Sequence, residues 1–167
     1  MKGLPRSLSK SKDTSALTST IVLKDFLVTV TKGVTSFGSA LLQAVPEGNI
    51  FYQGAVANLQ VSTESATVTS TFTGVVSVGT VAATAVPFTN SNLSTLDNTV
   101  IGPAVAKVTP IARGVGLRAN AGRITDNTAA TDSIYLNMSI TDAHISATST
   151  FVVNGTVKIL YSIIGDD

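Results

Sequence analysis

Residues 149–164 alternate apolar and polar side chains with a period of two. The odd positions read Phe151, Val153, Gly155, Val157, Ile159, Tyr161 and Ile163, while the even positions carry Asn154, Thr156, Lys158 and Ser162. Side chains alternate across a pleated strand, so this pattern specifies one buried face and one wet face. Asn-Gly ordinarily marks a two-residue hairpin turn. A turn at Asn154-Gly155 would put Phe151 and Val153 beside Thr156 and Lys158, whereas one uninterrupted strand keeps the apolar residues together. A strand of that length reaches roughly 50 Å. Gly155 therefore reads as a bulge or bend where the strand passes from one sheet to another.

The same period recurs along the chain. Residues 21–31 place Phe26, Val28 and Val30 on one face, and residues 50–62 set Ala55, Ala57, Leu59 and Val61 inward against Asn58 and Gln60. Residues 66–79 set Val68, Phe72, Val76 and Val78 against Thr67, Thr69, Thr71 and Thr73. Residues 133–141 set Ile134, Leu136, Met138 and Ile140 against Tyr135, Asn137, Ser139 and Thr141. Residues 39–45 fit a short strand or a helical turn, and Pro46-Glu47-Gly48-Asn49 has the chemistry of a tight turn. From Val86 to Asp132 the pattern loosens among Pro and Asn residues, with short strands near 104–108 and 113–117. About eight strands with long connections predict an all-β protein. The expected fold is an antiparallel β-sandwich of jelly-roll or Greek-key-like topology, occupying residues 21–167 as a single domain. Its open edges invite neighbouring copies, so homo-oligomerisation is expected.

Composition narrows the chemistry. Charged residues make up 13% of the chain, about half the usual share, so its surface relies on Ser, Thr and Asn or lies against a partner. There is no cysteine, which removes disulfides, zinc-thiolate sites and thiol nucleophiles together. No apolar run approaches the roughly 18 residues that span a bilayer, and the first twenty residues lack the apolar core of a secretory signal. Synthesis in the cytoplasm without classical export is expected, with no membrane association. The Asn-x-Ser/Thr triplets at Asn92, Asn137 and Asn154 are then chance matches.

Residues 1–20 hold Lys2, Arg6, Lys10 and Lys12 against Asp13 alone, leaving seven basic and nine acidic residues of the chain's eleven and ten for the remainder. They read as an extended basic arm on a nearly neutral body. Four cations can contact phosphates, but the arm has no aromatic residue for base stacking. Tethering to a neighbouring subunit is favoured over nucleic acid, and the plain alternative is a floppy terminus.

Catalytic candidates are few. His144, the single histidine, follows Asp142 in ITDAHIS. Residues two apart on a strand point the same way without necessarily touching, and no nucleophile can be assigned, so a strand-end polar pair is the simpler reading. TDNTAATD (125–132) lacks the alternating oxygen ligands and central glycine of a calcium loop, and the terminal Gly165-Asp166-Asp167 reads as a solvated tail. Gly114 and Gly116 in ARGVGLRANAGR have no following Gly-Lys-Ser/Thr, so a flexible loop is favoured over a phosphate cradle. Arg113, Arg118 and Arg123 in that loop are either solvated or anchors to acidic groups on a partner. The Thr67–Thr73 stripe is the ordinary wet side of a strand rather than an ice- or sugar-binding face. No catalytic residue, metal ligand or cofactor is expected, and the chain reads as a non-enzyme.

Several segments resemble capsid decoration, or cement, proteins of tailed bacteriophages. They are LKDFLVTVTKGVTSFGS from Leu23, VPEGNIFYQGAVANLQVS from Val45, VTSTFTGVVSVGT from Val68, AKVTPIARGV from Ala106, ITDNT from Ile124 and VKILYSIIGDD from Val157. The resemblance implies a structural virion protein, made in the host cytoplasm, that binds the exterior of the head shell and reinforces it. Its expected partners are the major capsid protein and copies of itself, a trimer favoured over a dimer. It carries no catalytic residues. The candidate capsid contacts are Lys2, Arg6, Lys10, Lys12, Arg113, Arg118 and Arg123, chosen on charge alone. A second reading is a carbohydrate-binding or adhesin-like β-sandwich module. Aromatics are only 5%, there is no Trp, and Phe26, Phe72, Phe151 and Tyr161 face inward in the expected pattern, so a sugar-stacking platform is not evident.

Overall fold

The computed structural model describes residues 17–33, 36–63, 65–69, 74–80, 82–83, 123–126, 133–140 and 142–165. These form β1 (Leu17–Val30), β2 (Ser36–Ala44), β3 (Asn49–Ser62), β4 (Gly74–Gly79), β5 (Arg123–Asp126), β6 (Ser133–Ile140) and β7 (Ser149–Gly165), with one 3-10 turn at Asp142–His144. One sheet runs β1-β7-β3-β5 and the other β2-β6-β4, and every pairing is antiparallel. Successive strands alternate between the sheets. The pairs nest, β1 with β7, β2 with β6 and β3 with β5, around β4. This nested winding is the jelly-roll arrangement, so the all-β sandwich that the alternation specifies is the fold observed.

The two inner faces share one apolar core. Val28 and Val30 of β1, Ala57, Leu59 and Val61 of β3, and Phe151, Val153, Val157 and Ile159 of β7 meet Val76 and Val78 of β4 and the even residues of β6. Phe151, Val157, Ile159 and Leu136 are fully buried, each contributing about 1.5–3 kcal/mol by leaving water. At one corner the sheets converge: Thr31 bridges Phe37, and β2 passes so close to β1 that a Cβ on Gly38 would overlap the Thr29 carbonyl. Only a glycine permits that approach.

Several expectations are corrected. β1 begins at Leu17, so residues 17–20 of the segment read as an arm are strand, paired with Lys158–Tyr161 of β7. Of the two readings of residues 39–45, the strand is the one observed: residues 39–44 belong to β2, which starts at Ser36, and Val45 follows it. β7 is a single strand, but it does not change sheets at Gly155; it stays in one sheet, paired with β1 from Ser149 to Tyr161 and with β3 from Val152 to Gly165. The register shift falls on β1 instead, between Leu23 and Phe26, where Asp25 takes a φ of 49° and its N–H donates to Asn154 Oδ1 at 2.8 Å. Gly155 keeps its place in the β3 ladder opposite Leu59, at a φ of 136°, and an added Cβ would overlap the Asn58 carbonyl.

Residues 66–79 are not one strand. Thr67 lies in a turn, Val68 makes an isolated bridge to Ile145, and the strand β4 starts at Gly74. Thr67 and Thr69 of the threonine stripe are therefore not strand residues, and Thr71 and Thr73 lie outside the described residues. On β6, Asn137 and Ser139 are as buried as Leu136 and Met138, because β6 is the central strand of its sheet and further chain crosses its other face. The backbone N–H of Ala83 donates to Asn137 Oδ1 at 3.0 Å and to Ser39 Oγ at 2.6 Å. The short strands expected near 104–108 and 113–117 lie outside the described residues.

Candidate functional site

Polar side chains of the described residues are used mainly to join parts of the sandwich. Asp142, at the start of the 3-10 turn after β6, accepts a hydrogen bond on Oδ1 from the buried Ser36 Oγ at 2.6 Å. Lys32, just past β1, lies 3.6 Å from Asp142 Oδ2 and donates to the Asp142 carbonyl at 2.7 Å. These contacts tie the ends of β1, β2 and β6 together. A second tie holds the turn after β3 to the start of β7: Thr67 Oγ1 contacts both Ser65 Oγ and the buried Ser149 Oγ, while Ser146 N donates to the Thr67 carbonyl at 2.8 Å.

Asp142 is thus engaged by Ser36 and Lys32, and the His144 carbonyl accepts from Thr69 N at 3.0 Å; the two residues form a structural corner. Among the described residues no group of three or more His, Cys, Asp or Glu converges to hold a metal ion, and no helix is long and apolar enough to cross a membrane.

Of the charged contact candidates, Lys2, Arg6, Lys10, Lys12, Arg113 and Arg118 lie outside the described residues. Arg123 does not belong to a loop: it opens β5, opposite Tyr52 of β3. Thr125 and Asp126, read as the start of a loop, are also β5 residues, while Gly114, Gly116 and Asp132 lie outside the described residues. The inward assignment of aromatics holds for Phe151, which is fully buried, and for Phe26 and Tyr161, which pack half-buried against the core; Phe72 is outside the described residues. No aromatic side chain among the described residues is exposed.

The surface that sequence reasoning missed is the outer face of β1, β7 and β3. Its cross-strand rows are Thr20–Lys158–Val56, Val22–Thr156–Asn58 and Leu27–Val152–Ser62, with Asn154 opposite Gln60 between the last two. Val22 is 72% exposed, Leu27 59% and Val56 55%. A shallow depression of about 380 Å³ is lined by Asn58, Leu59, Gln60, Asn154, Gly155 and Thr156. Alternation alone marks these positions as polar-side residues; the signal available in the sequence was that Val22, Leu27, Val56 and Val152 break that rule on the side facing water. Amides, hydroxyls and aliphatics make up most of this face, with Lys158 in its first row.

No family model, no curated protein and no solved structure matches this chain.

Proposed function

We propose that this chain is a structural virion protein of a tailed phage, a capsid decoration or cement protein that binds the outer surface of the head and bridges and stabilises capsid subunits. The observation that carries the reading is where the resembling segments fall. Those from Val45 and Val68 contain β3 and β4, and those from Leu23 and Val157 take in the later parts of β1 and β7, strands of one nested sandwich, and the polar residues around them serve as internal ties. Such a body acts by rigid contact. A standard interface of about 1,600 Å² holds a stable complex, and several such contacts per oligomer reinforce a shell by avidity. Low charge helps, since few ions require desolvation at each contact. Arg113, Arg118 and Arg123 and the basic residues of the arm supply the cations for acidic groups on capsid subunits.

The test is composition of purified particles. Quantitative mass spectrometry should find this protein at a fixed copy number relative to the major capsid protein, and stripping it should lower the temperature at which heads open. Its absence from particles carrying its gene would overturn the reading.

A further inference from the structure

We propose that the outer face of β1, β7 and β3 is a self-association surface, on which a second copy of this chain packs about a two-fold axis lying across the strands along the Asn154–Gln60 row. This inference stands apart from the capsid reading and survives without it.

Three observations carry it. The first is extent. Rows from Thr18–Leu160 to Thr29–Thr150 belong to this face, and at about 3.3 Å per residue and 4.8 Å per strand it covers roughly 15 by 35 Å. With side-chain relief, two such faces approach the lower bound of about 1,200 Å² for specific interfaces. The second is composition: Val22, Leu27 and Val56 are exposed on this face and its exposed charges are confined to Lys24, Asp25 and Lys158, so few ions require desolvation under a partner.

The third is self-complementarity, which selects the occupant. A two-fold on the Asn154–Gln60 row sets Val22 over Leu27 of the second copy, Thr156 over its Val152, and the Gln60 and Asn154 amides over their own counterparts. The β1 bulge brings Lys24 and Asp25, one of each sign and both exposed, to that same row, so each cation meets the other copy's carboxylate. Lys158 faces Thr150 of the second copy. The two Lys158 side chains then sit about 26 Å apart, beyond a Debye length of about 8 Å. Sheets stacked face to face at about 10 Å are an ordinary packing mode. The oligomer so formed is two-fold, in place of the three-fold one that the resemblance implies.

Sedimentation equilibrium on the full chain tests this. The chain should dimerise at micromolar concentration, and Val22→Lys or Leu27→Lys should weaken the dimer roughly 100-fold through an unpaired interfacial charge, with the melting temperature unchanged at concentrations where the parent chain is itself monomeric. Leu41→Lys, the same change at a residue 53% exposed on the other sheet, should leave it intact. Should either lysine variant unfold, Gln60→Cys in this cysteine-free chain should be joined across the axis by a short bis-maleimide, and Leu41→Cys should not. A monomeric chain, or an oligomer that Leu41→Lys disrupts and Val22→Lys does not, would overturn the proposal. A monomer still present in phage heads would overturn it while leaving the cement reading in place.

Discussion

Ser36 Oγ donates to Asp142 Oδ1 at 2.6 Å, joining two residues 106 positions apart. Ser36 is fully buried, and its acceptor is a carboxylate, so the bond belongs to the stronger class. Ser36→Ala should destabilise by about 1.5–3 kcal/mol. Lys32→Ala removes an ion pair whose two side chains are each 35% exposed, and should cost under about 1 kcal/mol. Urea denaturation of the two variants checks the order; an equal loss would show that Lys32 matters beyond a surface pair.

Gly155, opposite Leu23, and Asp25, whose N–H donates to Asn154, flank the β1 bulge with opposite demands. Gly155→Ala meets the Asn58 carbonyl at a φ of 136° and should destabilise by roughly 2–4 kcal/mol. Asp25, at a φ of 49°, is an L-residue held in the left-handed region, so Asp25→Gly should be neutral or stabilise by about 0.5 kcal/mol. Thermal unfolding should lower the Gly155→Ala midpoint, by about 3 °C per kcal/mol, and leave the Asp25→Gly midpoint unchanged or raised.

Ser77 on β4 is fully buried, and its Oγ has no hydrogen-bond partner among the described residues. An unsatisfied buried hydroxyl carries its desolvation cost without return. Ser77→Ala should therefore be neutral or stabilise by up to about 1 kcal/mol, in contrast to Ser36→Ala, and equilibrium unfolding of the pair checks it.

The start of β1 at Leu17 separates two truncations. Removing residues 1–16 should weaken binding to phage heads with the melting temperature nearly unchanged, as the capsid reading requires of the basic arm. Removing residues 1–20 also deletes four strand positions paired with β7 and should lower the midpoint. Calorimetry and a head-binding assay on both truncations distinguish arm from strand.

Where one face is buried and the other wet, the sequence was readable. The odd residues of β3 from 57 to 61 and of β7 from 151 to 159 follow the inner face. The phase slips at the β3 register shift, before which Ile50 and Tyr52 are the buried positions. It slips again near the end of β7, where Ser162 is buried and Ile163, read on the apolar face, is exposed. Readability failed where both faces are covered. Asn137 and Ser139 look like wet-side residues yet are buried, because a crossing segment satisfies Asn137 through Ala83. It failed again where pairing is short: β5, of four residues, gives too few alternations to distinguish it from a loop. Asn154-Gly155 signalled irregularity at the right latitude but on the wrong strand, since the bulge falls on the neighbouring β1. The outer apolar residues were visible singly; only the register shows that they form one surface.

The nested winding governs how this molecule comes into being. Of the seven strands among the described residues, β7 is the last to leave the ribosome, yet it is the central rib that β1 and β3 both require. Until it emerges, the larger sheet is a lone β1 and a separate β3–β5 ribbon, each presenting naked hydrogen-bonding groups to other chains. Loops of more than a hundred residues must close before that rib is seated, a topology that folds slowly. A nascent chain stalled short of residue 149 would hold most of the hydrophobic core of this protein and none of the piece that closes it.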